Sequence, residues 1–239
     1  NRPDAEAADT YREFCGRARS VTVRDTLSRE NLEQVGITNV GVCPDVAWGS
    51  QLPSARRLDH YDIGISVRAT SLLDLDATVE TLVDFVLEGR SVLIIPFQSP
   101  APLGTDDHRL HVELQERVRA RVNERAPGLL PIVDIVAPDT DVEHRLMAIR
   151  ACAAYITMRF HGLVAGLRYG IRTTSWCFPD DVKFKALAEL LERPSLRIHR
   201  IQDARVALEP APPSTGPLEL KGKEALTSLR DQVLPAAHA

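Results

Sequence analysis

Arg159 and His161 stand two apart at the end of an apolar run, within "TMRFHGLVAG" over residues 157–166. A strand over 153–159 delivers the arginine to its carboxyl end. The histidine then falls in the first turn of the helix that follows. First-turn N–H groups lack intrahelical acceptors and the helix dipole is positive there, so an anion is favoured at that place. A guanidinium adds a bidentate fork for phosphate or carboxylate. An imidazole can bind the same anion or give it a proton. Gly162, Ala165 and Gly166 allow close backbone approach. The plain alternative is a surface arginine next to a half-buried histidine.

Other charged residues fall at similar places. Arg24 and Asp25 close "SVTVRD", either as part of an anion site or as a local salt bridge with an N-cap. Asp45 ends the next strand, Arg68 the one after it, and Lys183 follows "FPDD". Each has a plain reading as a surface charge. If they converge on one cleft, they favour a small polyanionic substrate over a protein partner. Asp107, in Asp106-Asp107-His108, is either a catalytic acid–base group or a helix cap, and spacing alone favours the cap. His108 and His111 lie three apart on a predicted helix, but no third metal ligand accompanies them. The chain contains no GxGxxG, Walker or HExxH motif.

The elements that must position these residues are legible from hydrophobic periodicity. Residues 4–18 read as a helix, 20–25 as a strand, 25–36 as a helix capped by Asp25 or Ser28 and stopped by Gly36, and 39–45 as a strand stopped by Pro44. Residues 51–60 have linker composition. Strands follow at 61–69, 91–98, 130–138, 153–159 and 171–178. They alternate with helices at 74–89, 105–122, 140–152, 160–170 and 181–193. This alternation predicts an α/β fold with a doubly wound parallel sheet, whose ligands bind at the carboxyl ends of the strands. Arg24, Asp25, Asp45, Arg68, Gln98 and Arg159 all fall at or near such ends. The domains expected are 1–50, a linker 51–60, 61–208, and a Pro/Ala-rich tail 209–239 with a helix over 220–233. Trp48 and Trp176 read as core or cleft-wall residues.

Composition narrows the classes of function. The chain has 239 residues, 44 % hydrophobic and 26 % charged, with a formal net charge of -4. That balance argues against general nucleic-acid or membrane-surface binding. No apolar run approaches the ~18 residues of a membrane span, and nothing resembles a signal peptide. The four cysteines are scattered, which fits reduced thiols in a cytoplasmic protein. The sequence begins at Asn1 rather than Met, as expected of a fragment or a trimmed chain.

Three segments together resemble the polysaccharide pyruvyl transferase family. "SVTVRDTLSRENLEQVGITNVGVCPDVAW" is similar to its S-V-R-D to P-D segment. "ISVRAT" is similar to the strand that opens its C-terminal domain, and "TMRFHGLVAGLRYGIRTTSWCFPDDVKFKALAELL" to its R-x-H to K segment. Phe160 replaces the family's usual Leu, and Arg172-Thr173 replaces its common Pro-Val. The resemblance implies a GT-B-like fold of two Rossmann-like domains. Residues 1–48 would then be the last part of the N-terminal domain, with its first βαβ units outside this sequence. It also implies transfer of the enolpyruvyl group of phosphoenolpyruvate onto a sugar of a cell-surface polysaccharide or its precursor, as a pyruvate ketal. Arg24 and His161 would correspond to donor-site residues.

The chemistry of that transfer assigns the remaining roles. His161 would serve as acid or phosphate ligand, Arg24 and Arg159 would hold phosphate and carboxylate, and Lys183 would add charge. Asp25 and Arg68 join the substrate-binding set, with Asp107 or Asp45 as base. No cofactor or metal is called for, because arginines can neutralise the phosphate. The expected partners are phosphoenolpyruvate and a sugar or glycan acceptor, with peripheral contact allowed to a lipid-linked one and with no nucleic acid. Two other readings stand beside this one: a GT-B glycosyltransferase using a nucleotide-sugar, and a non-catalytic family member.

Overall fold

The computed structural model describes residues 5–54, 60–97, 107–137, 139–207 and 215–233. The chain forms two compact units, residues 1–51 with 215–239, and residues 52–214. Gln98, Asp106 and the Pro-rich stretch 208–214 lie outside the described residues.

The first unit opens with α1 (Ala5–Gly16), β1 (Val21–Val23), α2 (Thr26–Gln34) and β2 (Val40–Val42). Strands β1 and β2 pair in parallel, Val21 against Val40 and Val23 against Val42. Asp25 caps α2 by accepting the Ser28 N–H at 2.7 Å, which removes one of the orphan donors of the first turn. Gly36, at φ +84°, ends the helix. Its N–H returns to Glu33 and that of Ile37 to Leu32, the paired bonds of a left-handed helix terminus.

The second unit is a six-stranded sheet with helices between the strands. Its elements are β3 (Tyr61–Ser66), α3 (Leu75–Leu87), β4 (Val92–Ile94), α4 (Asp107–Arg125), β5 (Val133–Ile135), α5 (Val142–Arg150), β6 (Cys152–Thr157), α6 (Phe160–Arg168), β7 (Arg172–Trp176), α7 (Val182–Leu190), β8 (Arg197–Ile198) and α8 (Ala204–Ala207). The order across the sheet is β5-β4-β3-β6-β7-β8 and every pairing is parallel. The chain runs outward in one direction from β3 and in the other from β6, so the topological switch point lies between those two strands.

Both faces of this sheet are buried, which explains the apolar run at 92–97. Ile63, Ile65, Val92, Ile94 and Ile156 pack with α3 and α4 on one face. Leu93, Ile95 and Tyr155, one residue out of phase, face Ile149 and Ala165 of α5 and α6 on the other. Ile65 and Leu82 are 0 % exposed; cutting either back to alanine should cost about 2–5 kcal/mol. Trp176 belongs to the first of these cores.

The last helix, α9 (Gly216–Val233), belongs to the first unit. A single turn of 3-10 helix, Val46–Trp48, meets it where Gly49 and Gly222 touch. A Cβ on Gly222 would lie 2.5 Å from the Gly49 nitrogen, so only glycine admits this approach. Trp48 is buried there, at 2 % exposure.

Candidate functional site

The carboxyl ends of β3 and β6 form the centre of the candidate site in the second unit. Ser66 and Thr157 are register partners, so Arg68 and Arg159 leave adjacent strands at the same level. The Met158 N–H donates to the Ser66 carbonyl at 2.9 Å, and the Arg68 N–H lies 3.3 Å from Met158 Sδ. Arg68 is exposed. Arg159 is the N-cap of α6 and gives it no side-chain capping bond, so the first-turn N–H groups of α6 gain nothing from that side chain. His161 sits exposed in that first turn, with its ring centroid 6.0 Å from that of Phe160. Phe160 in turn meets Phe184 edge-on at 5.7 Å. Lys183 precedes Phe184 and is exposed on the first turn of α7, which Asp181 caps.

Helix α6 reaches the sheet closely because two of its residues lack a side chain. A Cβ on Gly162 would stand 2.8 Å from Thr157 Oγ1 and 2.9 Å from Tyr155 Oη. One on Gly166 would stand 2.4 Å from Thr173 Oγ1. Beneath the helix Ser66 Oγ donates to the Ile95 carbonyl at 2.6 Å, so the Tyr155 hydroxyl, 2.6 Å away, donates to Ser66. Burial pushes the Tyr155 phenol up, and it stays a neutral donor. Thr157 Oγ1 accepts the Arg159 N–H at 3.0 Å and fixes the corner from which Arg159 emerges.

Asp107 is the first residue of α4 and is 1 % exposed. Its Oδ2 pairs with the Arg159 guanidinium. The helix-cap expectation for Asp107 is corrected here: it lies within the helix and its carboxylate serves Arg159. A buried carboxylate needs such a partner, since desolvation would otherwise favour its neutral form. His111, one turn on, is fully buried. Its Nδ1 meets the Asp107 carbonyl, which can only accept, so Nδ1 carries the proton. Its Nε2 accepts the Val67 N–H at 3.1 Å. Both ring nitrogens are thus engaged by backbone and neither is offered to a metal. Burial lowers the His111 pKa to about 4, so the ring is neutral. It ties the start of α4 to the end of β3. The i, i+3 histidine spacing gave no hint of this bridge, whose signal is a lone histidine on the apolar face of α4.

The first unit has its own cluster. Arg24 leaves β1 and lies 3.6 Å from Asp25 and 3.5 Å from Asp45, which follows β2. Both acids also hold backbone. Asp25 takes the Ser28 N–H, and Asp45 takes the Ala47 N–H at 3.0 Å to start the 3-10 turn. The structure therefore brings together Arg24, Asp25 and Asp45 in one unit, and Arg68, Asp107, Arg159, His161 and Lys183 at one end of the sheet in the other.

This architecture is a Rossmann-like α/β fold of the GT-B kind. Among solved structures, a UDP-GlcNAc 2-epimerase from Methanocaldococcus jannaschii matches with TM-score 0.55 and 11 % identity over 95 % of this chain and 66 % of that one. A protein described as a UDP-N-acetylglucosamine 2-epimerase from Listeria monocytogenes matches with TM-score 0.58 and 12 % identity over 98 % of this chain and 64 % of that one. At such identity the likeness is one of fold. The chain spans just under two thirds of the length of either structure. No curated protein matches it. The family model for polysaccharide pyruvyl transferase matches residues 4–175, well over half of the chain, and the protein belongs to that family. Among the described residues no helix is long and apolar enough to cross a membrane.

Proposed function

We propose that this chain contributes to transfer of the enolpyruvyl group of phosphoenolpyruvate onto a sugar of a polysaccharide or its precursor, forming a pyruvate ketal. The observation that carries the reading is Arg159 and His161 at the amino end of α6, at the sheet's switch point, in a member of the pyruvyl transferase family. Arg159, oriented by Asp107, is the guanidinium that would meet the phosphate or carboxylate of the donor. Arg68 and Lys183 add positive charge at the same end of the sheet. Within the first unit, Arg24, steadied by Asp25 and Asp45, is a separate candidate anion-binding cation.

The atoms balance as follows. His161 gives a proton to the methylene carbon of the enol, making a methyl group and an oxocarbenium-like centre at the adjacent carbon. One sugar hydroxyl adds to that centre, and its proton returns through a base to the histidine. The C–O bond to phosphate breaks, and a second hydroxyl closes the ketal while its proton leaves with the phosphate. General acid catalysis and cations on the departing phosphate are the contributions the protein must make. Asp107 is committed to Arg159 within the buried interior, which counts against it as that base.

A thermal-shift titration with phosphoenolpyruvate, with UDP-sugars and free phosphate as controls, tests this. Saturation at ~100 Kd should raise stability by about 2.7 kcal/mol. His161→Ala should fold as the parent, lose most of that shift, and lower transfer by roughly 100-fold or more, the range of a lost general acid. A shift given by UDP-sugars and not by phosphoenolpyruvate would replace this reading with nucleotide-sugar chemistry.

A further inference from the structure

At the opposite end of the same sheet lies a cavity of 430 Å³, lined by Asp62, Phe85, Arg90, Arg172 and Arg205 together with Ile63, Ala153 and Ala154. Its arginines are placed by backbone features that can each be traced. Helix α3 ends at Gly89, φ +81°, with the Gly89 N–H returning to Val86 and the Arg90 N–H to Phe85. This left-handed terminus folds Arg90 back over the residue that receives its bond, and its guanidinium sits 5.5 Å from the Phe85 ring centre. Asp62 locks the next residue: its Oδ2 accepts both the N–H and the hydroxyl of Ser91 at 2.8 Å. Arg205, on α8, lies over the same ring at 5.1 Å. Glu88 holds both arginines, pairing with Arg205 and lying 3.7 Å from Arg90. Arg172 enters from the start of β7, exposed, and its side chain has no hydrogen-bond or ion-pair partner among the described residues.

Three guanidiniums therefore face two carboxylates, one of which is spent on Ser91. The excess is positive, and the volume falls within the ~300–1,000 Å³ usual for small-molecule sites. We propose that this cavity binds a small phosphate- or carboxylate-bearing anion, held by Arg172 and Arg205. The site is separate from the Arg159–His161 end. Six-residue strands such as β3 and β6 span about 20 Å at ~3.3 Å per residue, and the two groups of residues lie at their opposite ends. The inference does not depend on the identity of the transfer reaction.

Phenyl phosphate, which combines an aromatic body with a phosphate, is the probe. Isothermal titration of the chain, together with the arginine Nε–H signals of its ¹⁵N spectrum, should show saturable binding. Arg172→Gln removes a side chain with no internal partner and so leaves the fold intact. It should weaken binding tenfold or more, and Arg205→Gln should do the same. His161→Ala should leave this binding unchanged. The proposal is overturned if binding is not saturable, if Arg172→Gln binds as the parent does, or if His161→Ala abolishes the signal, since the last outcome would place the probe at the other end of the sheet. Failure of phosphoenolpyruvate to bind would leave these three readouts unaffected.

Discussion

His111 is the residue at which stability and pH are coupled most directly. Its folded pKa, about 4, lies below the usual 6.5 because the ring is buried. Between those values the unfolded chain binds a proton that the folded chain does not. Stability is therefore fully present above pH 6.5 and is lost as pH falls toward 4, by up to about 3 kcal/mol at 1.36 kcal/mol per unit. Urea unfolding midpoints measured from pH 7 to pH 4 should fall accordingly, and His111→Gln should flatten that dependence even though it lowers stability at pH 7. At this scale the sequence was partly legible. Arg159 and His161 were legible because a strand end followed by a helix start has a pattern. The Asp107–Arg159 pair was not, because the two residues are 52 apart and only the parallel packing of distant elements joins them. Arg172 was visible as a departure from the family pattern, but nothing local told which cavity it would line.

Among the elements, α6 depends most on what is missing from its surface. A methyl group at position 166 would overlap Thr173 and crowd Tyr155, whose Cδ1 would be 3.2 Å away. Gly166→Ala should therefore destabilise the second unit by about 1–3 kcal/mol, the usual cost of overpacking, despite alanine's better helix propensity. Urea unfolding would read this. A gain in stability would show that the helix can lift off β6 without loss. Most elements were legible because amphipathic and fully buried patterns differ in period: α3, α4 and β6 all lie where hydrophobic spacing puts them. Strands were expected longer than they are, as at 91–98, where pairing covers only Val92–Ile94. Apolarity continues past the last ladder bond there, because burial and strand pairing are different demands. The two-residue β8 and the short α8 were not foreseen. Two to four residues carry no readable period, and these elements exist because neighbours hold them.

For the whole molecule, the informative fact is that the first unit draws on both ends of the chain. Nothing local in residues 216–233 signals that this helix returns to residues 46–49; only the glycines at 49 and 222, unremarkable in sequence, mark the contact. Removal of residues 215–239 should expose Trp48 while leaving Trp176 in the core of the second unit. Acrylamide quenching should then rise for one of the two tryptophans and not for the other. Equal protection of both after truncation would mean that the first unit holds Trp48 without α9.

That arrangement also sets an order of events during synthesis. Chains emerge amino end first, and domains generally fold as units. The second unit is one continuous stretch, so it can close as soon as it has been made. The first unit has to wait until α9, made after the second unit, has been delivered. Through that interval the indole of Trp48 lacks its cover. The newborn chain is then most open to chaperones and proteases at a segment made before the second unit rather than after it.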